Sequence, residues 1–514
     1  MTWELWVLSG IGLVLVLMTI YDLTQNKHAI LRNFPIIGHF RYWLEAVGPE
    51  LRQYIVTDNN EERPFSRDQR RWVYASSKRE NNYFGFGTDN ELELSPNYVI
   101  IRQATFPLNE PVEGDADFDP LHRLPCAKIV GGPRGRRKAF RQQSVVNVSA
   151  MSFGSLSPRA VEAINRGCAI AHCLHNTGEG GISPYHDHGG DLIWQVGTGY
   201  FGCREHDGTF SMSLLKENCD RYPVKMIEIK LSQGAKPGKG GVLPAAKVTA
   251  EIAKIRNVPI GKTVISPACH SAFHSVDEML DFVERIADET GLPVGIKSAV
   301  GEMQFWHDLV KLMGSGTRGV DYIQIDGGEG GTGAAPLVFA DHVSLPFKVA
   351  FSSVYPLFAE AGLHEKVVFT GSGKLGFPEC ATLAFALGCD TISVAREAMM
   401  SVGCIQAQKC HTGHCPTGVA TQSQWLMRGL DPTVKSARLA NYVVTLRKEV
   451  HALSLACGVA HPALVTLDMI DIVDDRFGSC SALDLFRYKP GWGRPSEEDM
   501  ALVGRGRTTR LVRT

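Results

Sequence analysis

An uncharged apolar run is the first feature of the chain. Residues 5–21 contain no Asp, Glu, Lys or Arg, and Trp3, Trp6 and Tyr21 lie at the two ends of the run. The hydrocarbon core of a bilayer takes about 20 apolar residues, and Trp and Tyr favour its two interfaces. The pattern therefore predicts a transmembrane anchor over residues 1–24.

A cleaved signal peptide and a buried core helix are the two alternatives for this run. A signal peptide begins with basic residues and ends in a small-residue cleavage site, whereas this chain has Glu4 at its start and no such site at residues 22–25. The residues favour a retained anchor. Lys27, Arg32 and Arg41 follow the run, and the positive-inside rule then predicts a single-pass protein of the cell membrane with its body in the cytoplasm.

Short β-branched runs alternate with longer segments of helical spacing from residue 145 onward. The strand-like runs lie at residues 145–150, 170–176, 226–231, 263–266, 293–297, 322–325, 367–370 and 391–395. The clearest helical segments lie at residues 158–169, 245–256, 276–290 and 377–387. Eight strands that alternate mostly with helices match an α/β fold of the (β/α)8 TIM-barrel type better than an open doubly wound sheet.

This pattern divides the chain into four predicted regions. They are a transmembrane anchor (1–24), a mixed N-terminal region (25–144), a barrel domain (145–425) and a mainly helical C-terminal extension (426–514). Many of the strand-like runs end in Gly-rich or polar sequence, and barrel active sites lie at the carboxyl ends of the strands. The chemistry of the protein is therefore expected at those ends.

Composition and charge exclude two classes of protein. Lys and Arg number 53 and Asp and Glu number 54, and so balanced a charge argues against a nucleic-acid-binding protein. The 13 Cys are scattered along 514 residues, unlike the dense cysteines of a small secreted disulfide scaffold. Only Cys404, Cys410 and Cys415 form a cluster.

These three cysteines are the strongest local signal. They are spaced by six and five residues and end in Cys415-Pro416, a pattern typical of an iron–sulfur loop. Three thiolates suit a cluster that lacks one iron. Zinc with His411 or His414 as a fourth ligand, and cysteines with a purely structural role, are the alternatives.

Two Gly-rich segments could present backbone N–H groups to a phosphate. They are the loop 327–333 and Gly371-Ser-Gly373, which follows the seventh predicted strand. Barrel phosphate sites commonly use the loops after the seventh and eighth strands, so the position favours a phosphorylated cofactor such as FMN. Lys297 ends another run and could hold the electron-rich N1/O2 edge of a flavin, although an ordinary ion-paired lysine would look the same.

A further loop suits an anionic substrate. Gln233, Lys236 and Lys239 lie in a segment stiffened by Gly and Pro, and two cations beside an amide could bind a dicarboxylate. A mobile surface loop is the alternative.

Taken in order, these motifs resemble the FMN-binding synthase domain of the glutamate synthase family. The resemblance extends from about residue 145 to 425 and includes the segments Ser149-Ala-Met-Ser-Phe-Gly-Ser155, Asn176-Thr-Gly-Glu-Gly-Gly181, Gln233-Gly-Ala-Lys-Pro-Gly238, Gly330-Gly-Thr-Gly-Ala334 and the cysteine loop through Gln422. The family implies a flavin barrel with a 3Fe-4S cluster beside it. It also implies that 2-oxoglutarate and ammonia give 2-iminoglutarate, which reduced FMN converts to L-glutamate.

Carried over by position, the resemblance assigns roles to individual residues. Cys404, Cys410 and Cys415 would bind the cluster. The residues that would bind FMN are Ser149, Asn176, Lys297, Gln324, Gly327, Gly328, Gly371 and Gly373. Gln233, Lys236 and Arg256 would bind 2-oxoglutarate, and Glu179 would act with Lys236 and Gln233 near the iminoglutarate.

The chain also departs from the family pattern. It shows no resemblance to a glutaminase domain or to the C-terminal β-helix, so we expect free ammonia, or glutamine-derived ammonia from a separate protein. No Gly-x-Gly-x-x-Gly nucleotide motif is evident, which implies ferredoxin or a separate reductase subunit as electron donor. Lys239 stands where the family usually has Glu, which leaves two alternatives: the same cofactors with another oxo acid or amine, or a membrane-docked electron-transfer subunit without its own turnover.

Overall fold

The apolar run near the start of the chain forms a single long helix, α1 (Trp3–Thr24). By length and composition α1 could cross a membrane, and none of its most apolar 18-residue window is buried. It belongs to the first of two compact units, residues 1–70 and 71–514. The computed structural model describes residues 2–83, 85–92, 94–115, 118–474 and 478–504.

Two short helices follow α1 in the first unit. They are α2 (Ala29–Asn33) and α3 (Gly38–Leu51), and a π-helix, Arg52–Val56, continues α3. The chain between α2 and α3 is held to the last turn of α1 by Asp22, whose carboxylate accepts a hydrogen bond from the backbone N–H of Ile36 at 2.9 Å.

The second unit is built around a closed barrel of eight parallel strands. In chain order they are β1 (Val146–Val148), β2 (His175–Asn176), β3 (Leu192–Val196), β4 (Val224–Lys230), β5 (Val294–Ser298), β6 (Tyr322–Asp326), β7 (Val368–Ser372) and β8 (Thr391–Val394). Each strand pairs with the next, and β8 pairs with β1. The predicted (β/α)8 fold is confirmed.

Helices connect and extend the barrel. They are α4 (Arg67–Lys78), α5 (Pro158–Ala171), α6 (Met212–Arg221), α7 (Ala250–Arg256), α8 (Val276–Thr290), α9 (Gln304–Ser315), α10 (Leu337–His342), α11 (Phe347–Glu360), α12 (Pro378–Ala386), α13 (Arg396–Ser401), α14 (Gln424–Met427), α15 (Pro432–Ala456), α16 (Ala482–Leu485) and α17 (Glu497–Gly504). The boundary between the two units falls within α4.

One predicted barrel strand is wrong and one barrel strand was missed. These two errors cancel, so the predicted number of eight strands is correct. Residues 263–266 do not enter the barrel, because Val264–Ile265 pairs antiparallel with Val242–Leu243 in a separate two-stranded sheet. The missed strand is β3, Leu192–Val196, all of whose residues are buried.

Two other predicted boundaries differ from the structure. In the run 170–176, Ile170 and Ala171 still belong to α5, and only His175–Asn176 forms a strand. The predicted helix 245–256 is divided because Thr249 caps α7 by accepting a hydrogen bond from the backbone N–H of Ile252.

Apolar side chains fill the amino-terminal end of the barrel. The cluster contains Cys126, Val130, Leu174, Ile193, Met226, Tyr322 and Val368, with Phe140 packed against it. Val130 and Phe140 form an antiparallel bridge, so the segment before β1 folds back beneath the barrel. The polar side chains are therefore left to the opposite, carboxyl-terminal end.

The C-terminal region is mainly helical, as predicted, with a small sheet added. Helix α15 packs against α5 so closely that a Cβ on Gly167 would lie 2.8 Å from the Leu439 side chain. After α15, Ile470–Val473 pairs antiparallel with both Val99–Ile101 and Ser479–Ser481.

Candidate active site

Buried polar side chains gather at the carboxyl ends of the barrel strands. They are Asn176, Gln195, Glu228, Lys230, Lys297, Gln324, Asp326, Ser372 and Ser393. Parallel pairing sets neighbouring members side by side: Lys230 is in register with Lys297, and Lys297 with Gln324. This belt is the candidate active site.

Glu228 is the more completely buried of the two acids in the belt, Glu228 and Asp326. Its Oε1 accepts hydrogen bonds from Asn176 Nδ2 at 2.8 Å and from Gln195 Nε2 at 2.6 Å. Burial raises the pKa of Glu228, although Lys297 acts in the opposite direction. Because the Asn176 amide also accepts from the N–H of Gly178, both ends of this predicted flavin residue are engaged inside the protein.

The Lys297 Nζ and Gln324 Nε2 groups could each donate a hydrogen bond to a bound cofactor. Lys297 Nζ lies 3.5 Å from Asp326 Oδ2, longer than a direct hydrogen bond. Gln324 Oε1 accepts from Ser393 Oγ at 3.3 Å, whereas its Nε2 is buried without a hydrogen-bond partner. A buried N–H without a partner is unfavourable, so this donor is suited to an acceptor atom of a ligand.

The predicted phosphate-binding glycines and Ser149 lie around the same end of the barrel. Gly327 N–H donates to Ser372 O at 2.8 Å and Gly328 N–H donates to Leu345 O at 2.9 Å. Ser149 N–H donates to Val394 O at 2.8 Å. The first two amides of the loop 327–333 therefore bind the protein itself rather than pointing freely at a ligand.

Gly371 is required by tight packing, and Gly373 by its backbone conformation. A Cβ on Gly371 would lie 2.8 Å from both Cys389 Sγ and the Phe347 ring, so packing excludes a side chain there. Gly373 has a φ of +133°, a conformation that other residues rarely adopt. A Cβ on Gly373 would also lie 3.2 Å from Gly327 Cα, so the loop after β7 runs close to the loop after β6.

Glu179 is surrounded by cations. Its carboxylate lies 3.0 Å from Lys230 Nζ and 3.9 Å from Lys236 Nζ. Burial would raise the pKa of Glu179, but Lys230, Lys236 and Arg256 outweigh burial and the pKa is lowered to about 2. Glu179 is therefore ionised at neutral pH.

Lys236 is a buried lysine in the loop after β4. Its Nζ donates to Gly240 O at 3.2 Å, and burial lowers its pKa to about 8 in spite of the nearby Glu179. Gln233 accepts a hydrogen bond from Lys230 Nζ at 2.7 Å through its Oε1. The three residues predicted to act together, Glu179, Gln233 and Lys236, are thus brought to one place, with Lys230 between them.

Arg256 lies beside this group but is held by the protein. It donates to Phe153 O at 3.0 Å and stacks 5.1 Å from the centre of the Phe201 ring. Burial lowers its pKa to about 10, and Glu179 acts in the opposite direction. The guanidinium adds positive charge to the site while also tying α7 to the loop after β1.

A buried histidine, His270, hydrogen-bonds to the backbone of Lys230. His270 Nε2–H donates to the backbone O of Lys230 at 2.9 Å, and its Nδ1 lies 3.1 Å from the Tyr200 hydroxyl. Burial lowers the pKa of His270 to about 4, so the ring is neutral at neutral pH. The sequence gives little warning of this contact, because His270 lies in a loop 40 residues after Lys230.

Lys239, the residue that departs from the family pattern, is exposed. Its Nζ lies 4.6 Å from the centre of the Phe339 ring. The main charges that lower the pKa of Glu179 are instead those of Lys230, Lys236 and Arg256.

The three loop cysteines lie close enough to influence one another. Burial raises the pKa of Cys404 to about 11, and Cys410 and Cys415 add to the rise. Burial would also raise the pKa of Cys415, but the Thr417 hydroxyl and the N–H groups of residues 417, 419 and 420 outweigh it and lower the pKa. Several donors aimed at one sulfur favour a thiolate, the form that binds iron.

Lys247 ties the cysteine loop to the barrel. Its buried Nζ donates to Cys410 O at 2.9 Å and to Ala420 O at 3.4 Å. His411 and His414 are exposed. Among the described residues no three His, Cys, Asp or Glu side chains, the three loop cysteines included, are already arranged to bind a single metal ion.

Several residues of the site were not found from the sequence, among them Glu228, Lys230 and Lys247. The first two alternate with apolar residues along β4, so they point into the barrel, and this alternation within an apolar run was a usable signal. Lys247 had no such signal, since the segment 245–256 reads as an ordinary helix.

A closed parallel barrel with a cation-rich carboxyl end and a three-thiol loop defines a (β/α)8-barrel enzyme with a candidate cofactor site. The sequence model described as a conserved region in glutamate synthase matches residues 127–460. The chain belongs to the glutamate synthase family and is an oxidoreductase of the glutamate synthase type.

Three relatives illustrate the similarity. The chain is 41% identical over 472 residues to the glutamate synthase large subunit-like protein YerD of Bacillus subtilis (strain 168), covering 86% of this chain and 89% of YerD. It is 36% identical over 321 residues to the archaeal glutamate synthase (NADPH) of Methanocaldococcus jannaschii, covering 61% of this chain and 59% of that protein. It is 36% identical over 232 residues to the ferredoxin-dependent glutamate synthase of Cyanidium caldarium, covering 45% of this chain and 14% of that protein.

Proposed function

We propose that this protein uses FMN and a 3Fe-4S cluster to make L-glutamate from 2-oxoglutarate and ammonia through 2-iminoglutarate. The observation that carries the proposal is the charge around Glu179. Lys230, Lys236 and Arg256 are three cations about one carboxylate, which leaves two positive charges in excess. A substrate with two carboxylates neutralises that excess.

The belt of polar residues fits a flavin. Gln324 Nε2 is a buried donor without a partner, and Lys297 is a buried cation beside it. With these two, Ser149, Asn176, Gly327, Gly328, Gly371 and Gly373 would line the FMN site. Because the N–H groups of Gly327 and Gly328 already donate within the protein, these glycines would allow close approach of the cofactor rather than donate to it. When bound, FMN supplies the hydride that reduces the imine carbon.

The residues around Glu179 would bind and prepare the substrate. Lys236, Gln233 and Arg256 would hold the carboxylates of 2-oxoglutarate. Addition of ammonia at the carbonyl carbon must be followed by loss of water, and Lys236 Nζ, with a pKa of about 8, can give the proton that the leaving hydroxyl needs. Glu179 remains ionised and can accept hydrogen bonds from the incoming nitrogen.

Cys404, Cys410 and Cys415 would bind the iron–sulfur cluster, which would pass electrons to the flavin. The N–H groups and hydroxyl aimed at Cys415 fit a cluster thiolate. We propose ferredoxin or a separate reductase subunit as donor, in keeping with the similarity to a ferredoxin-dependent relative. Ammonia would arrive free or from a separate glutaminase protein.

We further propose that α1 is a single-pass anchor in the cell membrane and that the catalytic body faces the cytoplasm. Helix α1 has the length and apolar surface of a membrane span. The basic residues Lys27, Arg32 and Arg41 follow it.

The test of the catalytic proposal is glutamate formation by the purified full chain with 2-oxoglutarate, ammonium and an artificial reductant. Loss of a charge-assisted contact costs about 1.5–3 kcal/mol, so Lys236→Ala should weaken 2-oxoglutarate binding by about 10- to 150-fold. FMN content should not change. Lys239→Ala is the matched control, and its exposed position over Phe339 predicts unchanged affinity.

Two results would contradict the proposal. An active protein with the same 2-oxoglutarate affinity in Lys236→Ala would remove Lys236 from the substrate site. A protein loaded with both cofactors that forms no glutamate would refute the reaction itself. Loss of 2-oxoglutarate affinity in Lys239→Ala would instead add Lys239 to the substrate site.

A further inference from the structure

Helix α3 in the first unit has an apolar stripe that is open to the surroundings. The stripe consists of Phe40, Trp43, Leu44, Val47 and Leu51, whose spacing places them on one face of a helix. Phe40 is 61% exposed, Trp43 57% and Leu44 42%. The rings of Phe40 and Trp43 stack with their centres 5.8 Å apart.

The flank of α3 beside the stripe is polar. Arg41 and Glu45 are exposed there and form an ion pair of 2.7 Å across one helical turn. A groove of about 610 Å³ lies between α2 and α3, and Phe34 and Ile37 line it together with Phe40, Leu44 and the charged pair Arg41 and Glu45. A soluble helix normally turns its apolar face to a core, whereas this face is the one that α3 leaves uncovered.

The depth of α3 relative to a membrane follows from its attachment to α1. A helix of 22 residues is about 33 Å long, so α1 (Trp3–Thr24, 22 residues) spans a hydrocarbon core of about 30 Å. Asp22 is in its last turn and therefore at the edge of that core. His39 Nε2 lies 2.8 Å from Asp22 Oδ1, and Ile36 N–H also donates to this carboxylate. These contacts hold the start of α3 at the level of the interface.

We propose that α3 lies in the lipid–water interface with the apolar stripe inserted at the boundary between headgroups and acyl chains. Helices with one aromatic-rich apolar face and one charged face bind membranes in this way. The occupant of the stripe is lipid because the contacts of Asp22 hold α3 at the edge of the hydrocarbon core that α1 would span. The inference rests on the proposed membrane anchoring of α1 and adds a second membrane-embedded element to it.

Photocrosslinking of the full chain in lipid nanodiscs tests the inference. p-Benzoylphenylalanine replaces Trp43 on the apolar stripe, Glu45 on the polar flank, or Leu13 within α1, and the discs contain phosphatidylethanolamine and phosphatidylglycerol. We expect lipid adducts from position 13 and from position 43, with several-fold fewer from position 45. All three positions are exposed, so the probe replaces no buried side chain.

Each other outcome overturns a stated part of the account. Adducts from position 13 without adducts from position 43 would refute the interfacial helix and leave the anchor intact. Covalent dimers of the chain from position 43, in place of lipid adducts, would identify the stripe as a contact between copies. Equal labelling from positions 43 and 45 would refute the orientation of α3. No adduct from position 13 would refute the anchor.

Discussion

Lys236 links substrate binding to pH. Burial lowers its pKa to about 8, so its Nζ is charged below that pH and neutral above it. Binding of a dianion depends on the charged form, and 2-oxoglutarate affinity should therefore be constant below pH 8 and fall as the pH rises through about 8. Calorimetric titration without ammonia measures this directly, because no ammonium then titrates in the same range.

Lys236→Arg is the control for that pH dependence. A guanidinium stays charged at far higher pH, so the variant should bind 2-oxoglutarate with an affinity that does not fall near pH 8. If the unmodified protein shows the same flat profile, Lys236 does not supply the binding charge.

Candidate site residues in loops could be predicted from the sequence more readily than those within strands. Gln233 and Lys236 could be proposed because a loop stiffened by Gly and Pro with two cations suggests an anion site, and the structure brings both close to Glu179. Glu228 and Lys230 were missed because the run around them was assessed only as a strand. Whether these side chains point into the barrel depends on the alternation of faces along β4. A shift of the strand by one residue would turn both side chains outward.

At the level of secondary-structure elements and loops, substitutions in and around the cysteine loop should reduce iron binding to different extents. Cys410→Ser removes a proposed ligand and should abolish iron binding. Lys247→Met removes the donor to Cys410 O and Ala420 O, so the loop should remain but hold iron more weakly, seen as faster loss of iron to a chelator. Cys457→Ser is the control, because Cys457 is buried at the end of α15, and should keep its iron. Full iron in Cys410→Ser would refute the ligand assignment.

The strands show why element boundaries were harder to predict than the fold. Leu192–Val196 is as apolar as its neighbours and is bounded by Gly190 and Gly197, so the signal was present. Val264–Ile265 has the same β-branched character, yet Ile265 is exposed and the pair lies outside the barrel. Local composition cannot distinguish these two runs, because pairing with a distant strand decides which one enters the barrel.

At the scale of the whole molecule, membrane attachment should be integral. An apolar span is held by burial in lipid rather than by charge, so the intact chain should stay with membranes through washes with high salt and alkaline carbonate. A chain without residues 1–21 keeps Asp22 and its contacts to Ile36 and His39, and alkaline carbonate should release it. If carbonate releases the protein expressed from the full sequence, and the N-terminus of the released protein lies after the apolar run, α1 is a cleaved signal sequence.

A single turnover tests the central claim, reductive amination of 2-oxoglutarate, most directly. The purified protein is reduced chemically without oxygen and then mixed with 2-oxoglutarate and ammonium together, or with either alone, while flavin absorbance and L-glutamate are followed. The flavin should be re-oxidised only when both are present, and L-glutamate should form at the same rate. Re-oxidation without L-glutamate, or equal re-oxidation by an unrelated oxo acid, would contradict the account.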